Sequence, residues 1–319
     1  MTLEEHLDPI SRFLSEQGYL LIDGGLATEI EARGEKLDSE LWSAAVLVDQ
    51  PETIYEVHQD YLAAGADCIA SVSYQATVEG LVALGMSEAS AHTVLRSSVE
   101  LALEARDDFW SEKINRSGRL RPLVAASIGP YGAYLADGSE YRGGYDLSED
   151  QLFTFHRARW ETLCSAGADL VACETIPCRD EVRALRRLIS LESSLPTWIS
   201  FSCRDSLRLA DGDSLVETVA ELRDTPNLVA IGVNCVAPGL VGDLVATLRT
   251  RWDKPIVVYP NSGEIWDAAR KCWVDGHGEA DPFVDALEWY QKGARILGGC
   301  CRTDPDDIRR LRGVLTQNR

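Results

Sequence analysis

The chain has 319 residues, 45% of them hydrophobic and 26% charged, and its 31 Lys and Arg against 51 Asp and Glu give a net charge of −20. That balance excludes ordinary recognition of nucleic-acid phosphates or of anionic membrane surfaces, which both need clustered Lys and Arg. It admits a cationic or zwitterionic small molecule, although most of the charge is expected to be a solvated surface.

At the start, Leu3, Leu7, Ile10, Phe13 and Leu14 recur at helical spacing in an acidic stretch. The basic start and continuous apolar core of a signal peptide are missing, so the pattern predicts a surface helix on a cytoplasmic protein. No apolar run approaches the roughly 20 residues that a membrane span requires.

Eight short runs rich in Val and Ile follow, at 19–25, 67–74, 122–129, 169–177, 197–203, 227–235, 255–263 and 295–301. They are nearly continuous rather than alternating, as in strands buried on both faces of a parallel sheet. Segments of helical period lie between them, at 52–65, 88–110 and 148–167. "AAGADCIA" at 63–70 and "SAGADLVA" at 165–172 are near copies, each with a glycine placed to end a helix just before the next strand. Eight strands alternating with helices predict a closed (β/α)8 TIM barrel, which needs about 250 residues. A doubly wound open sheet is the rival, but no Gly-x-Gly-x-x-Gly opens the first helix. No Pro- or Ser-rich linker divides the chain, so 1–319 is read as a single domain with its core at about 19–312.

A barrel places its site at the C-terminal ends of its strands. Those ends read Asp23-Gly24-Gly25, Ser73-Tyr74-Gln75, Glu174-Thr175, Asn234-Cys235 and Gly298-Gly299-Cys300-Cys301. The nine cysteines are odd in number in a long chain, which argues against a disulfide framework. Adjacent cysteines bond to each other only with strain. Cys300 and Cys301 together with Cys235 instead form a candidate set of three soft zinc ligands, with the fourth position open as in catalytic sites. The glycines before Cys300 are expected to turn the backbone tightly, so that both sulfurs face one ion. A redox pair and a zinc-stabilised binding protein remain rival readings of the same cysteines. Asp23 serves either a substrate or, as an N-cap, the following helix.

"LIDGGLATEIEARG", "ETIP", "GVNCVAPG" and "ILGGCC" resemble the homocysteine S-methyltransferase family over about residues 19–312. The resemblance implies a (β/α)8 barrel whose Zn2+ is bound by Cys235, Cys300 and Cys301, with homocysteine as methyl acceptor. It implies that Glu174 receives the homocysteine ammonium and that Asp23, Gly24 and Gly25 border the same pocket. Ser73, Gln75 and Thr175 are taken as lining residues, and Asn234 as a residue that orients Cys235. Folate and cobalamin modules and the betaine-type C-terminal extension have no counterpart in the sequence. The chain therefore resembles the short enzymes that use S-methylmethionine, with S-adenosylmethionine as a poorer donor. Betaine as donor and a selenocysteine-type acceptor are the alternatives within the family. The loop at 129–145 is similar to those enzymes too, and Tyr131 and Tyr134 are read as a donor-side lid that meets a sulfonium by cation–π contact. The missing extension favours a monomer or weak homodimer.

Overall fold

The eight apolar runs become the strands of one parallel sheet in a computed structural model that describes residues 8–34, 42–192, 195–267, 272–274 and 281–317. In chain order β1 is Leu20–Leu21, β2 Cys68–Ala70, β3 Leu123–Ile128 and β4 Leu170–Ile176. Then come β5 Thr197–Phe201, β6 Leu228–Asn234, β7 Ile256–Tyr259 and β8 Ala294–Leu297. From β2 to β8 each strand pairs in parallel with the next, and β8 pairs with β1. A parallel bridge between Ile22 and Cys68 joins the two remaining edges and closes a (β/α)8 barrel.

That last seam has little backbone ladder, and side chains complete it. Asp23 N donates to Cys68 O at 3.0 Å, while the Asp23 carboxylate accepts from Ala70 N at 2.8 Å. The Asp67 carboxylate accepts from Leu21 N at 3.1 Å. It also faces Arg312 at 3.1 Å and receives the Gln17 amide, and it is fully buried.

Alternation along each strand explains the continuous apolar runs. Leu20, Ile22, Cys68, Leu123, Ala125, Leu170, Ala172, Trp198, Ala230, Val257 and Ile296 fill the barrel interior. Their neighbours, among them Ile69, Val124, Val171, Ile199, Ile231 and Val258, pack under the helical shell. Both faces are dry, so both must be apolar.

The N-terminal helix differs from the expected surface helix. Pro9–Glu16 is capped by the Asp8 side chain, and its Ile10 and Phe13, 0% and 2% exposed, join the interior cluster of the barrel. The helical period identified an apolar face; that face plugs the barrel instead of lying on a surface. Leu3 and Leu7 lie outside the described residues. The other sequence-read helices form at Pro51–Ala64, Glu88–Ser111 and Glu149–Cys164. Ser87 caps the second, and Ser148 with Gln151 makes a capping box on the third. No helix among the described residues is long and apolar enough to cross a membrane.

Two features of the loops bear on the site. The β3 loop folds into a short helix, Tyr131–Leu135, and a 3-10 turn, Ser139–Tyr141. Small antiparallel ribbons extend the loops after β5 and β7, pairing Cys203–Asp205 with Arg208–Leu209 and Ile265–Asp267 with Cys272–Val274.

Candidate metal centre

Cys235 directly follows β6 and takes a left-handed conformation with φ of 50°. This turns its side chain out of the strand's alternation, while its N–H stays bonded to Tyr259 O at 3.1 Å. Past β8, Gly298 N donates to Val258 O at 3.1 Å, Gly299 N to Asp23 O at 3.0 Å and Cys300 N to Pro260 O at 2.9 Å. The loop after β8 is thus laced to β7 and to the end of β1.

These backbones bring three sulfurs together. Cys235 Sγ lies 2.7 Å from Cys300 Sγ and 3.4 Å from Cys301 Sγ, and the adjacent pair is 4.0 Å apart. Cys300 and Cys301 are therefore well beyond the about 2.05 Å of a disulfide. Tetrahedral Zn–S bonds of about 2.3 Å separate thiolates by about 3.8 Å. The 3.4 and 4.0 Å separations suit that figure, and the 2.7 Å contact must open by about 1 Å around an ion. Among the described residues no His, Asp or Glu joins the three sulfurs within 4.8 Å. His6 and His277 lie outside the described residues. Hydrogen bonds from Cys300 and Cys301 pull the Cys235 thiol well below its ordinary value, and the thiolate so favoured pushes the other two up. Three converging thiols suit a soft dication, whose charge would favour their thiolate forms.

The paired glycines serve close approach rather than the tight turn expected of them. Neither Gly298 nor Gly299 has a positive φ. A Cβ on Gly299 would stand 2.1 Å from Thr303 Oγ1, and one on Gly298 2.2 Å from Ile22 Cγ1. Across the gap, a Cβ on Gly25 would stand 2.7 Å from Cys300 O, and one on Gly24 2.9 Å from Thr303 Oγ1. Only glycine lets "DGG" and "GGCC" lie against each other.

Two carboxyl groups border this junction. Glu174, near the end of β4, accepts a short hydrogen bond from Ser127 Oγ. Burial pushes it up to about 7 against hydrogen bonds from Ser127 and Tyr259. Asp23, 6% exposed, is pushed up to about 8 by burial, with the Glu174 charge adding to the shift. Asp23 caps no helix. The N-cap of Leu26–Ala32 is Gly25, and the Asp23 carboxylate bonds to Ala70 N instead.

Thr175, at φ 62°, donates its N–H to Asn234 Oδ1 at 2.7 Å and accepts Asn234 Nδ2 on its hydroxyl at 2.7 Å. Asn234 also receives Ser200 Oγ and leans on Cys300 Sγ at 3.9 Å, so it braces Thr175 and Cys300 rather than Cys235. Ser73 is fully buried and spends its hydroxyl on Ser127 O and Ser71. Gln75 is half-buried, with Oε1 buried and unpartnered among the described residues. Tyr131 and Tyr134 stack on each other and on Phe155, with centroids 4.9 to 5.7 Å apart. The tyrosine of that loop that reaches the cysteines is Tyr141, whose Oη is 3.7 Å from Cys235 Sγ. Tyr141, Ser127 and Tyr259 escaped the sequence reading. The density of tyrosines at 131–145 was the one signal that pointed near them.

A family model described as homocysteine S-methyltransferase matches residues 20–315. Homocysteine S-methyltransferase YbgG of Bacillus subtilis is 47% identical over 306 residues, covering 96% of this chain and 97% of that protein. Homocysteine S-methyltransferase of Escherichia coli is 48% identical over 307 residues, covering 96% and 98%. Among solved structures, the metallated form of the homocysteine methyltransferase MmuM from Escherichia coli aligns with a TM-score of 0.86 at 44% identity, covering 96% of this chain and 99% of that one.

Proposed function

Because the chain belongs to the homocysteine S-methyltransferase family, we propose that it moves a methyl group to homocysteine from S-methylmethionine, and less well from S-adenosylmethionine, at a Zn2+ held by Cys235, Cys300 and Cys301. The observation that carries this reading is the convergence of three sulfurs with no fourth protein ligand among the described residues. A zinc held by Cys235, Cys300 and Cys301 would keep a place open for a substrate, as catalytic rather than structural zinc sites do. A metallated relative of the same fold supports a metal here.

A free thiol of pKa about 8.5 is only a few per cent thiolate at neutral pH. Zinc held by the three cysteines would supply Lewis acidity that favours the thiolate form of the acceptor, so no general base is required of the chain. The chain's own residues then have positioning tasks. Glu174 takes the homocysteine ammonium, and Asp23, Gly24 and Gly25 border that end of the pocket. Asn234, through its bonds to Thr175, holds the Cys300 side of the centre in place. Ser73 and Gln75 stiffen the floor, and the loop carrying Tyr131 and Tyr134 screens water from the donor. The acceptor sulfur bonds to the methyl carbon as the carbon–sulfonium bond breaks, and that electron pair stays on the leaving sulfur. S-methylmethionine and homocysteine thereby give two methionines. Opposite charges cancel along this path, so a dry site favours it, and fixing the two sulfurs in line adds the entropic share. The enzyme acts as one barrel domain, a monomer or weak homodimer, in the cytoplasm.

The test is zinc content and methionine formation measured together on wild type and Cys301→Ser. About one zinc per chain with activity, both lost in the variant, is the expected result. Full activity in Cys301→Ser, or bound zinc with no methyl transfer from any sulfonium or betaine donor, would overturn the reading.

A further inference from the structure

The β3 loop carries a carboxylate that the reaction above does not use. Glu140 lies in the turn Ser139–Tyr141, one residue before the tyrosine whose hydroxyl stands 3.7 Å from Cys235 Sγ. It is 9% exposed, and its Oε2 is buried with no hydrogen-bond partner among the described residues. The turn is clamped from behind, since a Cβ on Gly132 would stand 2.3 Å from Glu140 N. Sharing a three-residue turn with Tyr141, Glu140 belongs to the segment that reaches Cys235. It is not among the groups gathered within 4.8 Å of the three sulfurs. Arg142, the nearby cation, is exposed and turns to Asp137, donating to its carbonyl at 3.1 Å and standing 3.8 Å from Oδ1. Burial pushes Glu140 up to about 7 against its own backbone N–H and the Arg142 charge, and a buried carboxyl oxygen still lacking a donor favours a cation that arrives with substrate.

We propose that Glu140 receives the α-ammonium of the methyl donor and thereby selects amino-acid sulfonium donors over quaternary ammonium ones. This rests on the sulfonium-donor reading above. Both substrates in that reading are amino acids, and each brings an ammonium to the same mouth. Glu174 serves the acceptor, the Asp23 carboxylate is taken up by Ala70 N, and Glu140 is a third carboxyl group near the cysteines. The donor carries two positive charges, and chemistry distinguishes them. The sulfonium charge vanishes during transfer, so a carboxylate held against it would stabilise the ground state more than the transition state. The ammonium charge survives, so a contact there tightens binding at no cost to the chemical step. Betaine has no N–H to offer, and would leave Oε2 as unpaired as before.

The test uses Glu140→Gln, which keeps shape and backbone, and Glu140→Asp, which keeps charge. Zinc content and melting temperature are recorded first. Steady-state kinetics then vary S-methylmethionine, homocysteine and dimethylsulfoniopropionate, a sulfonium without an ammonium, and calorimetry measures S-methylmethionine binding. In Glu140→Gln, KM and Kd for S-methylmethionine should rise about 10- to 100-fold. Zinc, kcat and homocysteine KM should stay within about twofold, and preference for S-methylmethionine over dimethylsulfoniopropionate should collapse by the same factor. Glu140→Asp should recover part of the loss. An unchanged S-methylmethionine KM, an equal loss on both sulfonium donors, a rise confined to homocysteine KM, or loss of zinc or fold in Glu140→Gln would each overturn the assignment while leaving the donor reading intact. A wild-type enzyme that turns over betaine and not S-methylmethionine would remove the donor reading, and this assignment with it.

Discussion

Gly299→Ala adds one methyl group where the loops after β1 and β8 meet. Its Cβ would stand 2.1 Å from Thr303 Oγ1, 2.8 Å from Thr303 Cβ and 3.1 Å from Thr303 Cγ2. Ordinary carbon contacts begin at about 3.5 Å, so the loop must move by roughly 1 Å. Thr303 cannot simply rotate away, because its hydroxyl donates to Cys300 O at 2.7 Å and its N–H to the same oxygen at 3.2 Å. The strain therefore passes to Cys300, a proposed ligand. Overpacking of this kind costs about 1 to 3 kcal/mol. Displacing a ligand's support weakens metal binding about 10- to 100-fold. Zinc affinity would be read by chelator competition and stability by urea denaturation. Gly239→Ala is the control, because a Cβ there meets nothing within 4 Å. If Gly299→Ala holds zinc and stability as the control does, the close-packing account of these glycines is wrong.

Two more outcomes follow from buried charges away from the cysteines. Asp67→Asn should destabilise the fold by about 3 kcal/mol in urea denaturation, since it leaves Arg119 and Arg312 without their buried partner at the β1–β2 seam; an unchanged midpoint would show the seam does not depend on it. Burial, aided by the Arg159 charge, pushes His156 down to about 4, although Glu181 Oε1 lies 2.7 Å from its Nε2. Between pH 4 and 6.5 the unfolded chain thus binds more protons at this site than the native state. The stability it contributes is complete above pH 6.5 and is lost as pH falls toward 4, a swing on the order of 3 kcal/mol. Urea midpoints at pH 5 and 7 should differ less in His156→Gln than in wild type, and equal differences would refute the sign.

The barrel was readable because burial on both faces writes a run of Val, Ile, Leu and Ala at each strand, from "PLVAASIG" to "NLVAIGVNC". The cysteines were readable for a related reason, since a polar or reactive residue at the end of such a run has left the core. What lay hidden depends on direction and distance. Helical period marked Ile10 and Phe13 as one face but could not say that the face enters the barrel. Tyr141 reaches a cysteine 94 positions away through a 3-10 turn with no sequence period, whereas Tyr131 and Tyr134 turned out to pack on Phe155. The ribbons after β5 and β7 are two or three residues wide, too short for alternation to register. The seam residues Asp23 and Asp67 were ambiguous because a carboxylate beside a strand can serve a ligand, a helix end or, as here, a neighbouring strand's N–H.

Loops on a (β/α)8 barrel are usually independent parts, and the architecture diversifies by exchanging them one at a time. The junction of "DGG" with "GGCC" removes that freedom at one point of the rim. Gly299 N is bonded to Asp23 O, Gly25 N to Thr303 O, and a methyl group on any of the four glycines would collide with the opposite loop or the residues bracing it. The first and last loops are in effect one inheritable module written at two distant stretches of the sequence. A graft of the three-cysteine site onto another barrel would have to carry both together, and recombination within the family should keep them from the same parent.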